Sequence, residues 1–161
     1  LNKLNDSDPQ ASIGDYPALL AILPPGSATR SGPRQFLEVS VTLNQNLLPV
    51  LGTPEFIAVL DRPLILETPG LGNANGNTVY RLREGIERFL ITDINNPAGS
   101  AAAASAIFTY YDALADRVRD FNHVPGGANV LYLDGHVKFR RYPGEAPVSE
   151  GLAEVQGGVL L

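Results

Sequence analysis

The sequence predicts an α+β domain in which an antiparallel sheet carries a helix packed on one face. Three stretches carry that expectation. Val130 to Leu133 and His136 to Arg140 are β-prone runs flanking Asp134-Gly135, a dipeptide that favours tight hairpin turns because it tolerates positive φ. Phe36 to Leu43 alternates, with Leu37, Val39, Val41 and Leu43 on one side, as a half-buried strand does. Val79 to Ile91 has helical periodicity, with Val79, Leu82, Ile86, Phe89 and Leu90 on one stripe opposite Arg81, Arg83, Glu84, Glu87 and Arg88. A helix on one face of an antiparallel sheet buries the apolar sides of both.

Length and composition frame these elements. The chain has 161 residues, which is most simply one domain over 1–161, and 44% of them are apolar against 18% charged. That balance describes a folded chain rather than a disordered one. A formal charge of −5, with Lys3 and Lys138 the only lysines and the arginines scattered, argues against nucleic acid as a partner. With no Cys there is no disulfide framework, thiolate metal site or Cys nucleophile. No run approaches the roughly 18–20 apolar residues of a membrane span, and no signal peptide is present. The first residue is Leu1 and the chain contains no Met, which points to processing or trimming upstream.

In chain order, Leu1 to Ser12 reads as a polar, loose arm. It includes the sequon Asn5-Asp6-Ser7, a short motif that arises readily by chance. Tyr16 to Leu23 fits two helical turns, with Asp15 as N-cap, Pro17 early and Pro24-Pro25 as the stop. Gly26 to Pro33 is a loop, and the alternating run at 36–43 follows it. Asn44 to Gly52 and Phe56 to Leu60 fit helix or strand equally. Pro63 to Glu67 reads as a strand closed by Pro69-Gly70. The glycines of Gly70 to Asn77 match neither a Walker loop nor a dinucleotide fingerprint, so this stretch reads as an ordinary loop.

Within the expected helix, Glu84 and Arg88 are at i,i+4, a pairing worth a few tenths of a kcal/mol. Gly85 costs about 1 kcal/mol against Ala there unless the backbone approaches a neighbour closely. Asn95-Asn96-Pro97 ends the helix. Ala101 to Ala106 is helical by propensity and leads into Ile107 to Tyr111. Asp112, Asp116 and Asp120 would line one helical face, and we read them as solvated, because calcium sites usually draw oxygen ligands from loops. Gly151 to Leu161 reads as a tail with an apolar end, ready to dock on a neighbour or a sheet edge.

For the hairpin, a two-residue loop would place Tyr132 opposite Val137 and Val130 opposite Phe139. These four would form one apolar face, with Leu131 and Lys138 on the more exposed side. The same stretch, Phe121 to Pro143 (FNHVPGGANVLYLDGHVKFRRYP), resembles the C-terminal signature of prepilin-like proteins, in which a His is followed, after nine residues, by Asp-Gly. Thr78 to Ala104 resembles the region ahead of that signature in a pseudopilin-like branch, and the two cover roughly a third of the chain. Here ten residues separate His123 from Asp134, and the apolar N-terminal helix characteristic of pilins does not occur in this sequence.

The resemblance implies a pilin-like globular head and an extended segment near residues 101–106. It also implies a structural role in an extracellular type IV pilin-like or pseudopilin-like filament at the cell surface. The implied partners are copies of the same chain. The missing helix adds two alternatives: a separate short apolar-helix subunit, as in a split pilin, or trimming of a longer chain. A membrane would be reached only through that helix or that partner. The competing expectation is a secreted or periplasmic binding or adhesin-like module reusing the pilin head, which a large pocket with convergent polar groups would favour.

An enzyme is not expected. His123 and His136 are the only neutral-pH bases of the usual kind, and no Gly-x-Ser-x-Gly elbow surrounds any Ser. Two His without Cys do not build a structural metal site, so the expected set of catalytic, cofactor-binding and metal residues is none. His136 reads as an exposed strand residue and His123 as a loop residue bonding backbone.

Overall fold

The computed structural model describes residues 3–86, 90–91, 97–115, 117–123 and 126–160, with 97, 118 and 158–160 described by backbone alone. The fold is α+β, and its core forms where three layers meet: a three-stranded sheet, a C-terminal helix, and the first half of a long helix. Ile13, Leu19, Leu37, Leu114, Val130, Val148, Leu152 and Val155 are buried together there.

The N-terminal segment is not a loose arm. Leu4 is buried, and β1 (Gln10–Ser12) pairs antiparallel with β2 (Ser31–Pro33), Ala11 facing Gly32. The expected loop at 26–33 is thus partly strand. Ser12 and Asp15 close a capping box around a 3-10 turn at Ile13–Asp15. Asp15 therefore reaches back to Ser12 and does not cap the next helix, α1 (Pro17–Leu20), which begins with Pro17 as its sequence requires.

The expected strand at 36–43 is instead part of helix α2 (Arg34–Leu47). The alternation misleads because Leu37 and Val41 are also i,i+4 neighbours. The stretch between Pro33 and Pro49 contains no helix breaker, and its length suits a helix better than a strand. Ser40 Oγ donates to the Phe36 carbonyl, and Asn44 Nδ2 to the Ser40 carbonyl, along the helix. The ambiguous 56–60 segment is also helical, as α3 (Glu55–Leu60).

The expected helix at 79–91 does not form over 79–86, and Leu90 is helical. Thr78–Val79 is β4, paired with β3 (Leu64–Ile65). Asn73 Oδ1 accepts the Tyr80 N–H, and Arg81 pairs with Asp61. Gly85 takes φ +76°, which a right-handed helix does not accommodate. Its role is this turn rather than the close approach considered from sequence, since a Cβ there would meet nothing within 4 Å. One helical hydrogen bond, Leu90 N–H to the Ile86 carbonyl at 3.2 Å, follows it. Residues 87–89, and with them the Glu84–Arg88 pairing, lie outside the described residues, as does Asn95-Asn96.

Pro97–Ala106 forms helix α4, following propensity rather than the extended segment implied by resemblance. The main sheet has the order β5-β6-β7: β5 is Phe108–Tyr111, β6 Gly127–Tyr132 and β7 Val137–Arg141, all antiparallel. The sheet therefore contains the expected hairpin without the 36–43 run.

The C-terminal stretch is helix α5 (Glu150–Leu160), and it docks on its own chain. Leu152, Ala153 and Val155 are buried, and a Cβ on Gly32 would collide with the Gly151 carbonyl and the Val155 side chain, so β2 approaches the helix at glycine. Asp6 accepts the N–H groups of Glu150 (3.2 Å) and Gly151 (2.8 Å), and the Ser149 hydroxyl donates to the Leu4 carbonyl (3.0 Å). A residue from the start of the chain thus satisfies the orphan donors of the last helix. Asn5 of the sequon accepts the Ala146 N–H through Oδ1 at 2.8 Å. Among the described residues no helix is long and apolar enough to cross a membrane.

Candidate functional site

The hairpin is present, with its register shifted by one residue. Gly135 N–H bonds the Tyr132 carbonyl, and Tyr132 N–H bonds the His136 carbonyl (both 3.0 Å), so Leu133, Asp134 and Gly135 form a three-residue loop. Gly135, at φ +88°, provides the left-handed residue of such a loop. Leu131 therefore faces Val137 and Asn129 faces Phe139. Val130 and Tyr132 are buried as expected, but Val137 and Phe139 are turned to the outer face, 62% and 44% exposed. A one-residue slip inverts every side chain of the slipped strand. Leu133 is held in the loop by its own N–H, which donates to the Ile107 carbonyl at 2.8 Å. Lys138 remains exposed, and Arg140 reaches across from β7 to donate through Nε to the Tyr132 hydroxyl at 3.0 Å.

The outer face of this sheet holds a polar cluster. Asp112 follows β5 directly, and its Oδ2 accepts the Asn129 N–H (2.8 Å) and lies 3.0 Å from His123 Nε2. Asn129 Nδ2 is 2.9 Å from the same ring nitrogen, so the His tautomer decides whether Nε2 donates to Asp112 or accepts from Asn129. The Phe139 ring meets the imidazole edge-on at 6.0 Å. The cluster is half-exposed, with His123 at 44%. His123 thus bonds side chains, not the backbone partner expected from sequence. Among the described residues no Ser or Thr hydroxyl is hydrogen-bonded to His123.

His136 is exposed in part, yet it is not free. Its backbone N–H and Nδ1 both meet Asp134 Oδ1, at 3.1 and 2.6 Å, and its ring stacks on Tyr132 with centroids 4.3 Å apart. The backbone N–H of His136 first, then its ring, holds the Asp134 carboxyl below the ordinary aspartate range.

A second polar network, which sequence reasoning did not single out, joins α2 to the segment after β3. Glu38 is buried; Oε1 accepts from Arg34 Nε (3.0 Å) and the Thr68 hydroxyl (2.6 Å), and Oε2 accepts the Thr68 N–H (3.2 Å). Arg34 also donates to Thr68 Oγ1 at 2.8 Å. Burial, and then the Glu38 charge, push the Tyr16 hydroxyl above its usual pKa. A hollow of about 280 Å³ opens beside them, bordered by Asp15, Tyr16, Val41 and Glu67. The one legible signal was the i,i+4 spacing of Arg34 and Glu38, hidden by reading the stretch as a strand.

The glycine loop at 70–77 is closed on itself. Gly70 and Gly72 N–H groups both donate to the Gly76 carbonyl, and Gln35 donates to the Leu71 carbonyl, so these donors are not arranged around a phosphate. Asp112 and Asp120 do not form a helical column; Asp120 contacts Arg119 at 3.5 Å, and Asp116 lies outside the described residues. Among the described residues no group of three or more His, Cys, Asp or Glu side chains is placed to hold a metal ion. No family model matches the chain, and no curated protein or solved structure matches it significantly.

Proposed function

We propose that this chain is the globular head of an extracellular type IV pilin-like or pseudopilin-like filament, with a structural rather than catalytic role. The observation that carries the reading is the hairpin carrying the signature residues. It forms the outer part of a sheet whose solvent face exposes Tyr110, Val137 and Phe139, and β7 is an outer strand. Exposed apolar sheet faces and unpaired strand edges are surfaces on which chains assemble. The partners in this reading are further copies of the chain.

The test is to shear surface filaments from the producing cells and identify their chains by mass spectrometry. The chain is expected in the filament fraction. Absence from the filament fraction would remove the filament reading altogether.

A second reading, a secreted binding or adhesin-like module, is favoured by one observation. A cavity of about 550 Å³ lies beneath the hairpin, lined by Asn5, Ser7, Ser105, Tyr132, Arg140 and Glu145. This is within the usual size range of small-molecule sites.

A further inference from the structure

We infer that the cavity beneath the hairpin is a binding site for a small carboxylate-bearing ligand of the size of a sugar acid. The inference rests on the second reading above and gives it a chemistry.

The cavity wall offers donors at Arg140, Tyr132, Ser7 and Asn5, while the Ser105 hydroxyl donates to the Ala102 carbonyl. Arg140 comes from β7 at a position turned inward by the one-residue register shift, with its side chain about one third exposed. Its Nε is spent on the Tyr132 hydroxyl oxygen, which fixes the plane of the guanidinium. The remaining N–H groups have a single weak contact among the described residues, Nη1 to Glu145 Oε2 at 3.9 Å, which is beyond hydrogen-bond reach. Because Tyr132 accepts from Arg140, its own O–H proton is left to donate. Ser7 Oγ and Asn5 Nδ2 have no hydrogen bond among the described residues, since Asn5 is engaged only through its backbone and Oδ1. Phe108 supplies an apolar wall.

A guanidinium held in a fixed plane matches a carboxylate by two parallel N–H···O bonds, and the hydroxyl and amide groups around it match a polyhydroxylated body. The one acidic lining residue, Glu145, is 82% exposed at its side chain. It can swing into solvent, and it competes with a ligand carboxylate for Arg140.

The experiment titrates the whole chain with D-glucuronate and, separately, with D-glucose, following backbone amide shifts by NMR. Saturable shifts of Ser105, Tyr132 and Arg140 are expected with glucuronate, and none with glucose at equal concentration. Arg140→Met should weaken glucuronate binding about tenfold or more, the scale of a lost charge-assisted pair. Glu145→Gln, a change at an exposed side chain, should tighten it, which a merely structural role for the loop would not produce. Equal binding of glucose, or no tightening in Glu145→Gln, would overturn the carboxylate assignment while leaving a binding module standing. If neither sugar gives saturable shifts, the second reading fails with it.

Discussion

Glu38 and Asp112 are two carboxylates doing similar bonding in different surroundings. Each accepts a backbone N–H from a distant segment and has a basic side chain within 3.0 Å: Thr68 and Arg34 for Glu38, Asn129 and His123 for Asp112. The Glu38 side chain is only 8% exposed and that of Asp112 is 31% exposed. Water replaces lost partners of Asp112 more readily than those of the less exposed Glu38. The same chemistry is therefore a clamp in one place and an adaptable surface contact in the other.

The comparison is sharpened most by Arg34→Met, which leaves Glu38 charged, buried and short of a donor. A loss of about 2–3 kcal/mol in urea unfolding is expected; the full cost of breaking a buried pair is not reached because Arg34 is 43% exposed. Thr68→Val removes the hydroxyl that links Arg34 to Glu38 and keeps the shape. It should cost about 1–2 kcal/mol by the same measurement. Losses below about 0.5 kcal/mol in both variants would erase the distinction between the two carboxylates.

On the exposed side, Phe139→Ala should cost about 1 kcal/mol, because the ring is already 44% exposed. A buried ring would cost about 3–5 kcal/mol, so an effect of that size would restore the two-residue loop register. Asp112→Asn should change stability by less than about 1 kcal/mol, since the pair with His123 is solvated and screened.

The smallest effect is in the hairpin loop. The folded-state pKa of Asp134 is depressed by His136, so its contribution is present above the unfolded aspartate value and is lost as pH falls through the lower folded value. An NMR titration should place the Asp134 midpoint below that of an unstructured aspartate. His136→Ala should raise it only in part, because the backbone N–H, the larger cause, remains. A full return to the unstructured value would assign the effect to the ring.

The legible parts of this fold are those decided by a few adjacent residues. Asp134-Gly135 marks a turn because one glycine must take positive φ, and that holds in either loop. The same dipeptide serves a two-residue turn and a three-residue loop with a bulge, so it specifies that a hairpin forms without specifying its register. The Glu38 clamp was illegible for a related reason. Its partner Thr68 is thirty residues away, and the alternation at 36–43 mimics the period of a strand in what is a helix. The cavity under the hairpin needed residues 5, 105, 132 and 140 brought together, which no local pattern announces.

By itself the sequence determined the α+β class, a short helix with Pro17 in its first turn, the inward faces of Val130 and Tyr132, and a hairpin at Asp134. Each follows from composition, backbone restriction or alternation within a short window. Only the tertiary structure decided that 34–47 and 150–160 are helices, that 80–86 turns at Gly85, and that Val137 and Phe139 face outward. In 34–47 an apparent alternation conceals the helix, and the C-terminal helix and the hairpin register rest on contacts from far along the chain. The choice was made by long-range partners: Gly32 against Val155, Asp6 at the start of the last helix, and Ile107 holding Leu133 in the loop.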